Sequence, residues 1–65
     1  MLPHVQRLYY LITYFINEQS RVSNVPIPFS VLLQKVLGAG FNLVDSKWLK
    51  FWLIDHGFED IDFES

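Results

Sequence analysis

The chain contains no cysteine, so neither a disulfide nor a thiolate-held metal can staple it. Charge is sparse as well: Asp, Glu, Lys and Arg make up 18% of the 65 residues, against about a quarter in an average soluble domain. Glycine and proline occur three times each, and no stretch reads as a flexible linker or a low-complexity tract. Long apolar runs are missing too. A membrane-spanning helix needs about 18 to 20 consecutive apolar residues, and Arg7 and Glu18 bracket the longest helical apolar stretch here. The residues after Met1 include Pro3, His4, Gln6 and Arg7, and no small-residue cleavage pattern follows, so the start does not read as a signal peptide. These absences place the expected protein in the cytosol, or in the nucleus of a cell that has one.

What is present is apolar: 51% of the residues are hydrophobic and 17% aromatic. Such a composition specifies a folded chain, read here as one domain over residues 1–65. A domain of this size buries only about 60% of the surface its unfolded chain exposes. Without disulfide or metal it relies on a tight aromatic core, on self-association, or on docking onto something larger.

The breakers divide the chain into a mainly α, three-helix pattern. Pro3 suits the first turn of a helix, where its missing N–H costs nothing, and an apolar stripe of period 3.6 (Val5, Leu8, Tyr9, Ile12, Phe15, Ile16) runs from there to about Gln19. Ser20 to Asn24 is polar and breaks the period. In Val25-Pro26-Ile27-Pro28 each proline drives its predecessor toward extended geometry. Pro28 then opens a second helix over 29–37 with Phe29, Leu32, Leu33 and Val36 inward, and Gly38-Ala39-Gly40 stops it. Asp45 is a good N-cap for a third helix over 46–56, and Val44 and Leu49 have the spacing of a hydrophobic staple. Gly57 suits the left-handed position past its end, with Phe58 folding back on Leu53. From Glu59 to Glu64 acidic and apolar residues alternate, the pattern of a half-buried strand with Ile61 and Phe63 on one face.

Helix, extended connector, helix, turn, capped helix and final strand is an order that resembles a small winged-helix domain, with 25–28 pairing against 60–63. A simple three-helix bundle accounts for the same pattern. In either case the third helix would bury Trp48, Leu49, Trp52 and Leu53 and expose Lys47, Lys50, Phe51 and Ile54.

That exposed face bears on function. Reading base edges takes Arg, Asn, Gln and Lys, with further cations on phosphate, whereas this face offers two lysines and two large apolar groups. Four of the seven acids (Glu59, Asp60, Asp62, Glu64) lie in the tail, so residues 1–58 carry five basic and three acidic side chains, a net of +2 within a chain of −2. Phosphate-driven affinity grows with the number of cations engaged, and five scattered ones give a monomer little of it. A membrane-surface helix would need a basic polar face, and the first helix has only Arg7 near its aromatic run.

Catalysis and metal binding find little to work with. His4 and His56 are distant in sequence, and Asp55 and His56, as helix neighbours, do not face each other. No spacing of histidines and carboxylates reads as a metal site, and no cofactor is expected. Gly38-Ala39-Gly40 lacks the Lys-Ser/Thr of a phosphate loop and follows a helix. A chain this short also leaves little volume for a substrate pocket. The expectation is therefore a protein without enzymatic activity.

An apolar surplus remains. Tyr10 and Tyr14 fall opposite the buried stripe of the first helix, beside Arg7, Leu11 and Glu18, an apolar centre with a charged rim. The leading expectation is a protein–protein interaction module (adaptor, inhibitor or assembly factor) that dimerises or docks on a larger protein through Arg7, Tyr10, Leu11, Tyr14, Phe51 and Ile54. The alternative is a small helix-turn-helix DNA-binding regulator that uses Lys47 and Lys50.

Overall fold

In the computed structural model, which describes residues 2–65, helices α1 (Pro3–Val22), α2 (Phe29–Gly38) and α3 (Ser46–Asp55) account for most of the chain. Two short strands, β1 (Ile27–Pro28) and β2 (Ile61–Asp62), complete it. The domain is mainly α, a small three-helix unit of 32 × 22 × 21 Å whose long axis matches the roughly 30 Å length of a 20-residue helix. None of these helices is long and apolar enough to cross a membrane.

The expected pairing of the connector with the tail forms over two rungs, Ile27 with Ile61 and Pro28 with Asp62, and the strands run parallel. Parallel strands need a long crossover between them, which the α2–α3 pair supplies. Ile27 and Ile61 are both buried, so the pairing closes one edge of the core. Beyond it Phe63 turns off the strand and packs on Phe29 with ring centroids 6.0 Å apart. The carbonyl of Ser65 accepts a hydrogen bond from the Ser30 N–H at 3.1 Å, which serves the first turn of α2, a helix whose N-cap Pro28 makes no side-chain cap.

Helix α3 ends as its sequence predicts. The Trp48 N–H donates to the Asp45 carboxylate at 2.9 Å. Past the other end, Gly57 takes φ +77° while its N–H and that of Phe58 donate to the carbonyls of Ile54 and Leu53, the paired bonds of a Schellman motif. Gly40, at φ +108°, makes the turn after α2.

Three expectations are corrected. Helix α1 runs to Val22 instead of stopping near Gln19. Its last turn faces solvent and needs no apolar stripe, and Ser20 Oγ stays within the helix by donating to the Ile16 carbonyl at 3.1 Å. The break comes at Ser23, whose hydroxyl accepts from the Val25 N–H.

The core is aliphatic, whereas a tight aromatic core was one of the three expected routes to stability and both tryptophans were expected inside it. Among the described residues the buried ones are Leu8, Ile12, Ile16, Ile27, Leu32, Val36, Leu49, Leu53 and Ile61. Phe15, Phe29, Phe41, Trp52, Phe58 and Phe63 pack around this cluster, each half-buried. The rings close the aliphatic cluster from its margins and leave its centre to Leu, Ile and Val.

Finally, Trp48 does not pack inward: it is 45% exposed. The buried stripe of α3 is centred between Leu49 and Leu53, and at about 100° per residue Trp48 lies about 120° from that centre.

Candidate protein-binding surface

The sequence-predicted site residues occupy two helix faces. On α1 the buried positions Leu8, Ile12 and Ile16 turn the opposite side to solvent, which leaves Arg7 exposed, Tyr10 62% exposed and Tyr14 57% exposed. Leu11 is half-buried at the margin of this face and lines a groove with His4, Arg7, Ala39, Gly40 and Phe41. On α3, Phe51 (56% exposed) and Ile54 stand in solvent together with Lys47 and Lys50.

Tyr9 links the two faces. Its ring meets Tyr10 edge-on at 6.0 Å between centroids and meets Trp52 at 6.3 Å and 75°. Trp52 stacks on Trp48 at 6.0 Å and 24°. The result is a band of rings, Tyr10–Tyr9–Trp52–Trp48, that crosses from α1 to α3 and ends one helical turn from Phe51. Tyr14 stands outside the band, against Phe15 at 5.7 Å. Phe15 in turn lies under the Lys35 ammonium, 5.6 Å from its ring centroid.

His56 belongs to this surface. Its ring lies 4.1 Å from that of Trp52, and Nδ1 is 2.8 Å from the Trp52 carbonyl oxygen, an acceptor that calls for a proton on that nitrogen. Phe58, brought round by the Gly57 turn, packs on Tyr9 at 5.3 Å. Sequence reasoning missed Trp48, Tyr9 and His56 as surface elements because it placed both tryptophans in the core. It also missed Leu43, which is 96% exposed in the α2–α3 turn, where no helical period marks a residue as inward or outward.

Charge around the band is mostly unpaired. Among the described residues one salt bridge forms, Arg21 to Glu18 on the exposed side of α1, so Arg7, Lys47 and Lys50 have no carboxylate within bridging distance. No group of three histidine, aspartate or glutamate side chains converges among the described residues. His4 lies in the first turn of α1 and His56 caps α3. The surface does carry open grooves, of about 320 Å³ beside Tyr14, Glu18 and Lys35 and about 540 Å³ beside His4 and Arg7. Chain length alone therefore understates the available volume: the grooves open between α1, twice the length of α2, and the segments at either end of α2. Comparison with known protein families, characterised proteins and solved structures finds no match to this chain.

Proposed function

We propose that this chain is a non-catalytic protein–protein interaction module, acting as an adaptor, inhibitor or assembly factor in the cytosol or nucleus. The observation that carries the reading is the band Tyr10–Tyr9–Trp52–Trp48, continued by Phe51 and Ile54, of which only Trp52 packs against the aliphatic core. Large contiguous apolar patches are uncommon on monomers and mark interaction sites. Tyrosine and tryptophan are the residues most enriched among those that dominate interface energies. Arg7, Lys47 and Lys50 rim the patch, which favours a partner with acidic groups at matching positions.

A second reading, a DNA-binding regulator, draws on the element order of a winged-helix domain and on the exposure of Lys47 and Lys50 along α3. Against it, the outer face of α3 also presents Phe51, Ile54 and Trp48, which add apolar surface and no positive charge. The readings part in a comparison of two double variants for retention of bound macromolecules. Tyr10→Ala with Trp48→Ala removes most captured protein under the leading reading, whereas Lys47→Glu with Lys50→Glu leaves most of it. Salt-sensitive capture of nucleic acid, lost with the lysine pair and indifferent to the aromatic pair, would establish the second reading instead.

A further inference from the structure

We infer that the outer face of α1 is a self-pairing surface that takes α1 of a second copy in antiparallel register about a two-fold axis. The inference rests on the interaction-module reading and divides its surface: the outer face of α1 for a second copy, the α3 end of the band for a different protein, with Tyr10 at the boundary between them.

The outer face of α1 is complementary to itself. When two antiparallel helices from Pro3 to Val22 overlap along their whole length, residues whose numbers sum to 25 lie opposite one another. Arg7 then faces Glu18 of the other copy, and Leu11 faces Tyr14. Tyr10 and Tyr14 are one position out of that register, close enough for rings of this size to meet across the axis. Both copies contribute both halves, as a two-fold interface requires. Arg7, Tyr10, Tyr14, Asn17 and Arg21 follow one another at spacings of three and four, the repeat of a helix-packing seam, with two tyrosines at its centre and polar residues at its ends.

The charges fit this register. Among the described residues Arg7 has no carboxylate partner and Glu18 bonds only the exposed Arg21, which leaves its second oxygen available. Two open grooves flank the face, one lined by Glu18 with Tyr14 and the other by Arg7 with Leu11. The two-fold operation sets the groove that holds Glu18 and Lys35 in one copy beside the groove that holds Arg7 in the other, so the complementary pair is Glu18 with Arg7. Helix α3 is a poorer candidate for self-pairing, with ten residues to the twenty of α1 and two unpaired lysines on its outer face. A single helix pair falls short of the about 1,200 Å² of total area typical of stable interfaces, so the dimer is a dissociable one.

Charge reversal tests the register. By light scattering behind size exclusion over a dilution series, the wild-type chain shows a monomer–dimer equilibrium. Arg7→Glu places Glu opposite Glu, and Glu18→Arg places Arg opposite Arg, so each variant alone self-associates about tenfold more weakly. An equimolar mixture of the two restores the dimer, because every facing pair is then of opposite sign. Circular dichroism of each variant confirms that it is folded before mixing. A wild-type chain that stays monomeric at millimolar concentration overturns the inference, as does a dimer indifferent to both reversals or one that mixing fails to restore. Dimerisation lost on Phe51→Ser but not on Arg7→Glu overturns it in favour of α3. A monomer whose capture of other proteins still depends on Trp48 would remove the α1 pairing and leave the interaction-module reading intact.

Discussion

Trp48 and Trp52 stack with ring centroids 6.0 Å apart, but only Trp52 is packed against the aliphatic core. One helical turn of offset gives the same residue type two roles, a ring that supports the fold and a ring that faces solvent. Truncation separates them. Trp52→Ala is expected to cost about 3 kcal/mol, since it strips contacts from Tyr9, His56 and Phe58 and opens the core margin. Trp48→Ala is expected to cost under about 1 kcal/mol. Urea denaturation of both variants checks this, and equal losses would show that Trp48 belongs to the folding core.

The third helix depends on its cap. The Asp45 carboxylate is the only side chain that caps a helix N-terminus among the described residues. Asp45→Ala is expected to cost about 1 kcal/mol, which for a domain of this size lowers the melting temperature by about 4–8 °C. Asp45→Asn should recover most of that loss in a thermal melt.

Gly57 holds φ +77° with open space where a Cβ would stand, so a side chain there meets backbone strain and no clash. Gly57→Ala is expected to destabilise by about 1–2 kcal/mol, and Gly57→Asn by less, because asparagine tolerates the left-handed region. A larger loss in the Ala variant would mean that Phe58 had left Tyr9, visible as a change in near-ultraviolet circular dichroism.

The tail is part of the fold. Ile61 is buried and pairs with Ile27, while the Ser65 carbonyl accepts from the first turn of α2. Ile61→Ala is expected to cost about 2–5 kcal/mol, a large share of the total for so small a domain. Hydrogen exchange should then show α2 opening at its N-terminal end. Unchanged stability would reduce the tail to a frayed appendage of a three-helix bundle.

Much of this was legible in the sequence because it was local. Asp45, Gly57 and the Leu49–Leu53 spacing each act within a turn or two of chain, and the exposure of Tyr10, Tyr14, Phe51 and Ile54 follows from helical period alone. Other features depend on what packs beside a residue. Trp48 and Trp52 differ by one turn, and it is the core, Tyr9 on another helix and Phe58 past the Gly57 turn that make Trp52 the supported ring. The parallel sense of the 27–28 and 61–62 pairing is set by how α2 and α3 carry the chain back, which alternation of apolar residues does not encode. The polar last turn of α1 looked like a loop because a solvent-facing turn and a loop share a composition.

Under the proposed function a protein partner sits on the band from Tyr10 to Trp48, with Phe51. The most direct measurement places a photo-cross-linking amino acid singly at Tyr10, Phe51 and Val31, the last an exposed apolar position on α2 away from the band, in cells that make the protein. The account predicts protein adducts at Tyr10 and Phe51 and few or none at Val31. Adducts spread equally over all three positions, none at any, or nucleic-acid adducts at Phe51 would contradict it.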